Sequence, residues 1–342
     1  MKAAVIETPG TIKIRELAMP EPGDYGALCE MLYGATCSGT DSHLLHGRLP
    51  WLWKYPTVFG HESIGRVVTV GEKVRNLRIG DLVTRVGLRR QDCLDAGLNW
   101  NWGGFCTHGV AMDYRAMRED GFDQGEYNAF RVHHVLPTDI DPRAATMIIT
   151  WRETLSYLLR MGIRPGTSVL VLGSGGVGLS FIRLTKILGA NVAATVGNAD
   201  REEQARRAGA DIYVDYKNVD WEKSLQEQGE FDFIIDSVAS RDGLGRALCA
   251  LRPGGTCGVY GIVTDRENPP TVMPTNSRGF TYFPCGYDEE ETNDQVIELV
   301  KAGELDAKIW IDLENPYALD EIASAYAELA KKSCIKILIQ LG

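Results

Sequence analysis

The sequence predicts an α/β protein in two parts, a β-rich segment followed by a doubly wound parallel sheet. Three observations lead there. The 342 residues exceed what one hydrophobic core usually serves. Near Asp141 the texture changes, from short apolar runs broken by Gly, Pro and Asp to alternating strand-like and helix-like stretches. A glycine-rich turn, "GSGGVG" from Gly173 to Gly178, separates a wholly apolar run from a helical pattern.

Before Asp141, "AAVIE", "IGRVVTVG" and "DLVTRV" read as short strands between turns. "DPRAATMIITWRETLSYLLRMGIRPG" then carries helical apolar spacing, stopped by Pro165 and Gly166. "SVLVLG" is apolar throughout, as a strand buried on both faces would be. "GVGLSFIRLTKILG" is helical, "ANVAATV" a strand, "DREEQARRAG" a helix and "FDFIIDSV" a strand; "DGLGRALCALRPGG" and "TCGVYGIV" continue the alternation. This is the rhythm of βαβ units. In the tail, "ETNDQVIELVKAG" and "LDEIASAYAELAKK" read as helices, and "AKIWIDL" and "IKILIQL" as short strands. Which part the tail joins is left open by the sequence.

The formal net charge of −10 argues against general nucleic-acid binding, which needs a basic face to displace counterions. No apolar run approaches ~18 residues, so no membrane span is expected. "MKAAVIETPG" reads as a strand and a turn and lacks the apolar core of a signal peptide. The eight cysteines have no framework spacing, which points to reduced thiols in a cytoplasmic setting.

Gly173, Gly175 and Gly178 stand in G-x-G-x-x-G spacing between strand and helix. The first allows a tight turn, the second lets backbone N–H groups approach a pyrophosphate, and the third lets helix and strand pack closely. Gly176 and Val177 open the helix whose N-terminus faces that anion. The alternative is a glycine-rich turn in another α/β fold, such as a methyltransferase. An acid commonly ends the second strand to bond the adenosine ribose. Here Val196, Gly197 and Asn198 occupy that corner, with Arg201 within reach. The missing carboxylate removes repulsion toward a 2′-phosphate and Arg201 can pair with one, so NADP(H) is expected over NAD(H). The competing role of Arg201 is a solvated residue in a helix's first turn.

Cys37, His61 and Glu62 are of the types that bind a borderline-soft ion such as Zn²⁺. They sit in "GATCSGTDSHLLHGR" and "FGHESIG". Together with the "MKAAVIE" opening, "VGEKVRNLRIGDLV" (70–83), "GSGGVG" and "LRPGGTCGVYG", these motifs resemble the zinc-dependent medium-chain dehydrogenase/reductase family, the alcohol and polyol dehydrogenases, over nearly the whole chain. The resemblance implies a GroES-like β-rich catalytic domain at 1–145, rejoined by 286–342. A Rossmann nucleotide-binding domain follows at 146–285, with the active site in the cleft. It implies Cys37 and His61 as zinc ligands. Glu62 is then a ligand in the polyol-type arrangement or a neighbouring carboxylate in the alcohol-type one. Thr40 accepts the substrate's hydroxyl proton and His43 passes it toward solvent. Bound Zn²⁺ lowers an alcohol's pKa or polarises a carbonyl, and the nicotinamide carries the hydride.

Three departures separate this chain from the family pattern. Two residues, Ser38 and Gly39, stand between Cys37 and Thr40 where the family has one, so a small bulge or a displaced Cys37 is expected. Ile149 occupies the place of the usual third ligand, and Glu153, about one helical turn on, is the nearest carboxylate, so the expected metal shell is Cys37, His61 and Glu62 with water, or one that recruits Glu153. The competing role of Glu153 is a cap or an ion pair. Only Cys93 and Cys106 fall where many members carry four cysteines, so one catalytic zinc and no structural zinc is expected. His46, His108, His133 and His134 are read as structural.

Four tryptophans, Trp51, Trp53, Trp100 and Trp102, cluster in two short stretches and can stack on sugar C–H faces or flat apolar substrates, or simply pack beneath a loop. Arg48, Arg89 and Arg90 are candidate partners for hydroxyls or an anionic group. The polar segment 87–130 reads as a long loop that shapes substrate entry or an oligomer contact. The expected partners are a small alcohol or carbonyl, with a sugar or polyol favoured by resemblance, and further copies of the chain in a homodimer or homotetramer. Two other readings stand beside this one: a metal-free NADPH-dependent enone or quinone reductase of the same fold, and a nucleotide-binding protein without catalysis.

Overall fold

The structure, a computed structural model, describes residues 1–48, 54–240, 242–264 and 279–342. Two units share the chain. The first comprises Met1–Ile149 and Asn293–Gly342, the second Thr150–Thr292. The sequence reading divides the chain slightly earlier, at 145/146 and 285/286. Among the described residues no helix is long and apolar enough to cross a membrane.

In the first unit a long strand, Gly26–Ala35, pairs antiparallel with Glu62–Val70 along almost its whole length. Its other edge is shared by His108–Met112, opposite residues 26–30, and by Leu338–Gln340, opposite residues 33–35. The tail therefore completes this unit's sheet. The strand Lys2–Thr8, with Ala3, Ala4, Val5 and Ile6 fully buried, anchors a second sheet in the order Thr11–Glu16, Lys2–Thr8, Thr57–Val58, Asn99–Trp100. The register of the first sheet positions the chemistry. Ala35 faces Glu62 on one edge and Leu338 on the other, and Thr36 N donates to Ile337 O at 3.0 Å, one step beyond the pairing with the tail strand. Cys37 thus emerges beside the start of the Glu62 strand and beside Lys336.

Two expectations are corrected here. "AKIWIDL" is not a strand: Ala307–Ile309 form a 3-10 turn, fixed because the Asp306 side chain accepts from Lys308 N, and only an isolated bridge joins Ile311 to Lys336. Segment 87–130 is not a long loop. It contains the helices Arg90–Asp95, Tyr114–Glu119 and Gln124–Tyr127 besides two strands. Cys93 and Cys106 are buried within it, and burial, with Asp92 nearby, pushes the Cys93 thiol up to about 12.

The second unit is a parallel sheet in the order Ile212–Asp215, Asn191–Val196, Ser168–Leu172, Phe231–Asp236, Leu251–Val259, Thr281–Tyr282. Trp221, Leu225 and Leu244 pack in one buried cluster with Leu170, Ala193, Phe231 and Ile234 of the sheet. The order reverses between Ser168–Leu172 and Phe231–Asp236, and ligands of doubly wound sheets bind outside the strand ends at such a switch point.

Candidate metal centre

Cys37, His61 and Glu62 are all buried, and one donor atom from each lies within 4.8 Å of the others. They form the one group of three or more such donors found among the described residues. Cys37 follows the strand Gly26–Ala35 and precedes the helix Thr40–Leu45. The extra residue is taken up after the strand, in a turn: Asp41 N donates to Cys37 O at 3.1 Å, enclosing Ser38, Gly39 and Thr40. Asp41 reciprocates, its Oδ2 accepting from Cys37 N at 2.8 Å and from the Tyr326 hydroxyl at 2.5 Å. The other carboxylate oxygen lies 3.4 Å from His61 Nδ1, which is buried without a hydrogen bond. Burial lowers the His61 pKa, but Asp41 and Cys37 outweigh it and hold the ring well above its ordinary value. The pocket therefore favours positive charge at that imidazole, whether proton or cation.

Glu62 begins its strand and forms a buried ion pair with Lys336, whose ammonium reaches both carboxylate oxygens and also donates to Thr36 O at 3.3 Å. Burial works against the ammonium, yet the charges of Glu62 and Cys37 keep its pKa above the ordinary value. Zn²⁺ fits this donor set. Bonds of about 2.0–2.3 Å to sulfur, nitrogen and oxygen need donors about 3.3–3.8 Å apart, within reach of the observed spacing. Three protein donors with a position to spare is the pattern of a catalytic zinc rather than a closed structural one. When loaded, the dication and Lys336 would balance the thiolate, Asp41 and Glu62.

Thr40 opens the short helix and is half-buried; His43 lies one turn on, its Nδ1 buried without a hydrogen bond. Burial first, then Arg48 and His46, lowers the His43 pKa, so the ring is neutral near neutral pH. Trp102 stacks obliquely on His61, with ring centroids 4.9 Å apart. Glu153 belongs to the second unit, where its Oε2 accepts from the Tyr260 hydroxyl at 2.8 Å. Arg89 is occupied by Asp92 and by the carbonyls of Glu21 and Pro22, which corrects its expected role toward substrate. Trp100 donates its indole N–H to Leu88 O at 2.6 Å. Trp51 and Trp53 lie outside the described residues. Lys336, Asp41 and Tyr326 went unsuspected in the sequence. The one signal for Lys336 was a lone charge inside the apolar run "CIKILI".

In the second unit the three glycines differ in what surrounds them. Gly173 has φ 100°, closed to most side chains. A Cβ on Gly178 would come within 2.2 Å of Gly173 O, whereas one on Gly175 would meet nothing within 4 Å. Gly175 therefore faces open space and caps the helix Gly176–Ile187, whose first N–H groups suit an anion. At the next strand end, Asn198 Oδ1 accepts from Arg201 N at 2.9 Å, capping the helix Ala199–Ala208, and the Arg201 guanidinium reaches Gln204 at 3.0 Å.

Residues 25–122 match the alcohol dehydrogenase GroES-like domain, and residues 176–302 match the zinc-binding dehydrogenase family. The chain is 30% identical to the aldehyde reductase YahK of Escherichia coli, over 75% of each chain. The chain belongs to the zinc-type medium-chain dehydrogenases/reductases. It is also 28% identical to the L-galactonate-5-dehydrogenase of Escherichia coli, over 77% of this chain and 76% of that one. In fold the chain is similar to the alcohol dehydrogenase TADH from Thermus sp. ATN1, with a TM-score of 0.81, 23% identity and 99% of each chain covered. It is thus a pyridine-nucleotide-dependent oxidoreductase of CH–OH groups.

Removing one partner of a buried ion pair leaves the other uncompensated, typically at a cost of about 3–5 kcal/mol. Lys336→Met should therefore lower the unfolding free energy of the metal-free enzyme by about that amount, and zinc should restore part of it. The raised ammonium pKa means that the pair's contribution is full below the unfolded value of 10.5 and fades only as pH rises through the higher folded value. Denaturant titrations with and without zinc at neutral pH check this; equal losses in both would contradict it.

Proposed function

We propose that this enzyme oxidises a sugar or polyol, or reduces the corresponding carbonyl, with NADP(H) and one zinc ion held by Cys37, His61 and Glu62. The observation that carries the proposal is the convergence of those three donors in one buried group. Bound there, zinc would supply Lewis acidity that makes a substrate hydroxyl easier to deprotonate. The remaining work belongs to the chain. Asp41 orients His61 and fixes the Cys37 backbone. Thr40, at the head of the helix, takes the substrate's proton, and His43, neutral because it is buried, relays it outward. The turn Gly173–Gly178 with Gly176 and Val177 cradles the dinucleotide's pyrophosphate.

The sugar or polyol preference is supported by the carboxylate beside His61 and by the relative that acts on L-galactonate. The NADP(H) preference is supported by the corner Val196–Gly197–Asn198, which carries no acid, and by the nearby Arg201. Two observations favour a second reading, the metal-free reductase: Lys336 already gives Glu62 a cationic partner, and Ile149 at the expected third-ligand position is fully buried and cannot bind metal.

Metal analysis with an alcohol panel separates the two. The expected result is about one zinc per chain, with both zinc and alcohol oxidation lost in Cys37→Ala. Zinc-free protein that still oxidises NADPH with an enone or quinone would overturn the zinc proposal. For the relay, His43→Ala should slow alcohol oxidation by about 10²-fold in mildly acidic buffer. The loss should shrink in alkaline buffer, where solvent base takes the proton directly. A pH–rate profile parallel to that of the wild type would contradict the relay.

A further inference from the structure

Trp102 holds a backbone conformation that tryptophan rarely adopts. Its φ is 63°, and Gly103 N donates to Asn101 O across it at 2.8 Å, so Trp102 is the central residue of a strained three-residue turn. Glycine enters this region without steric cost. The turn is fixed by backbone pairing on both sides. Gly104 N donates to Gly60 O at 2.8 Å, Phe105 N to Phe59 O at 3.0 Å and Leu88 N to Gly103 O at 3.2 Å. Asn101 Nδ2 adds a buried bond to Thr57 Oγ1 at 2.7 Å. None of these bonds uses the Trp102 side chain, so glycine would satisfy them equally. What tryptophan adds is an indole, and that indole lies against His61, centroids 4.9 Å apart and planes tilted by 47°. The residue is only half-buried, so part of it is not enclosed by the protein.

We infer that Trp102 is a specificity-determining residue: its indole forms a flat wall beside His61 that selects alcohols whose carbinol carbon belongs to or is attached to a ring over open-chain alcohols. This rests on the reading of Cys37, His61 and Glu62 as the reaction centre, and it narrows the proposed sugar or polyol to the cyclic member of that pair. The reacting carbon must lie near that group, and a ring in contact with His61 is within a side chain's reach of it. Aromatic rings pair with an indole at centroid separations of about 4.5–7 Å, and the C–H face of a sugar ring offers the same flat apolar contact. An open-chain alcohol must freeze several rotors to make the same contact. A residue that merely steadied His61 would act differently, lowering metal affinity and slowing every substrate alike.

The test compares wild-type holoenzyme with Trp102→Gly and Trp102→Phe, measuring zinc content and kcat/KM for benzyl alcohol and glucopyranose against n-hexanol and sorbitol. Glycine is compatible with the turn, so this variant should fold and keep its zinc. Its kcat/KM for the ring substrates should fall about tenfold or more while the open-chain substrates change by less than about threefold. Trp102→Phe should retain most of the discrimination. Parallel losses on all four substrates, or an unaltered ratio with zinc retained, would overturn this inference alone. A wild-type enzyme inert toward every alcohol tested would overturn the underlying reading as well.

Discussion

The antiparallel register that sets Ala35 opposite Glu62 is the constraint on which the site depends. It delivers Cys37 from one strand end to the beginning of the next, where His61 and Glu62 wait. The same edge admits the tail strand, and the Thr36–Ile337 pairing sets Lys336 against Glu62. A slip of one residue would turn every side chain of a strand to the opposite face. Glu62 and its ammonium partner would then separate, and the buried charges would lose their balance.

Charge balance decides how such a cluster survives burial. Each ion taken from water loses several kcal/mol of solvation, and attraction offsets this only where the geometry is close and the remaining valences are satisfied. Here Asp41 accepts from Cys37 N and the Tyr326 hydroxyl and lies against His61, while Lys336 spans both oxygens of Glu62 and a backbone carbonyl. The arrangement leaves the thiol of Cys37 and the ring of His61 as the groups best suited to an incoming cation. Polar burial of this kind restricts conformational freedom, which suits a reaction that tolerates little misplacement. The strained turn at Trp102 fits the same economy, since such strain persists only where the surrounding structure over-determines it.

Much of this was legible in the chain. The glycine spacing, the apolar strand before it and the helix after it specify the dinucleotide turn, because each glycine answers a local steric demand. Cys37, His61 and Glu62 were legible as residue types in recognisable motifs. Lys336 was not, since it meets Glu62 across 274 residues of sequence, and its one local signal, a lone charge in an apolar run, equally fits a solvated lysine on an edge strand. Asp41 and Tyr326, 285 residues apart, were hidden for the same reason. The "AKIWIDL" stretch misled because its apolar alternation mimics a strand while the Asp306 side chain bends the backbone into a turn. Segment 87–130 looked like a loop because its helices are short and polar, and short helices leave little periodic signal.

X-ray absorption at the zinc edge of the purified enzyme tests the central claim most directly. The account predicts one sulfur scatterer at about 2.3 Å with the remaining shell of nitrogen and oxygen at about 2.0–2.2 Å, including the signature of a single imidazole. A sulfur-free shell, or one of several sulfurs, would show that Cys37, His61 and Glu62 do not share an ion and would contradict the account at its root.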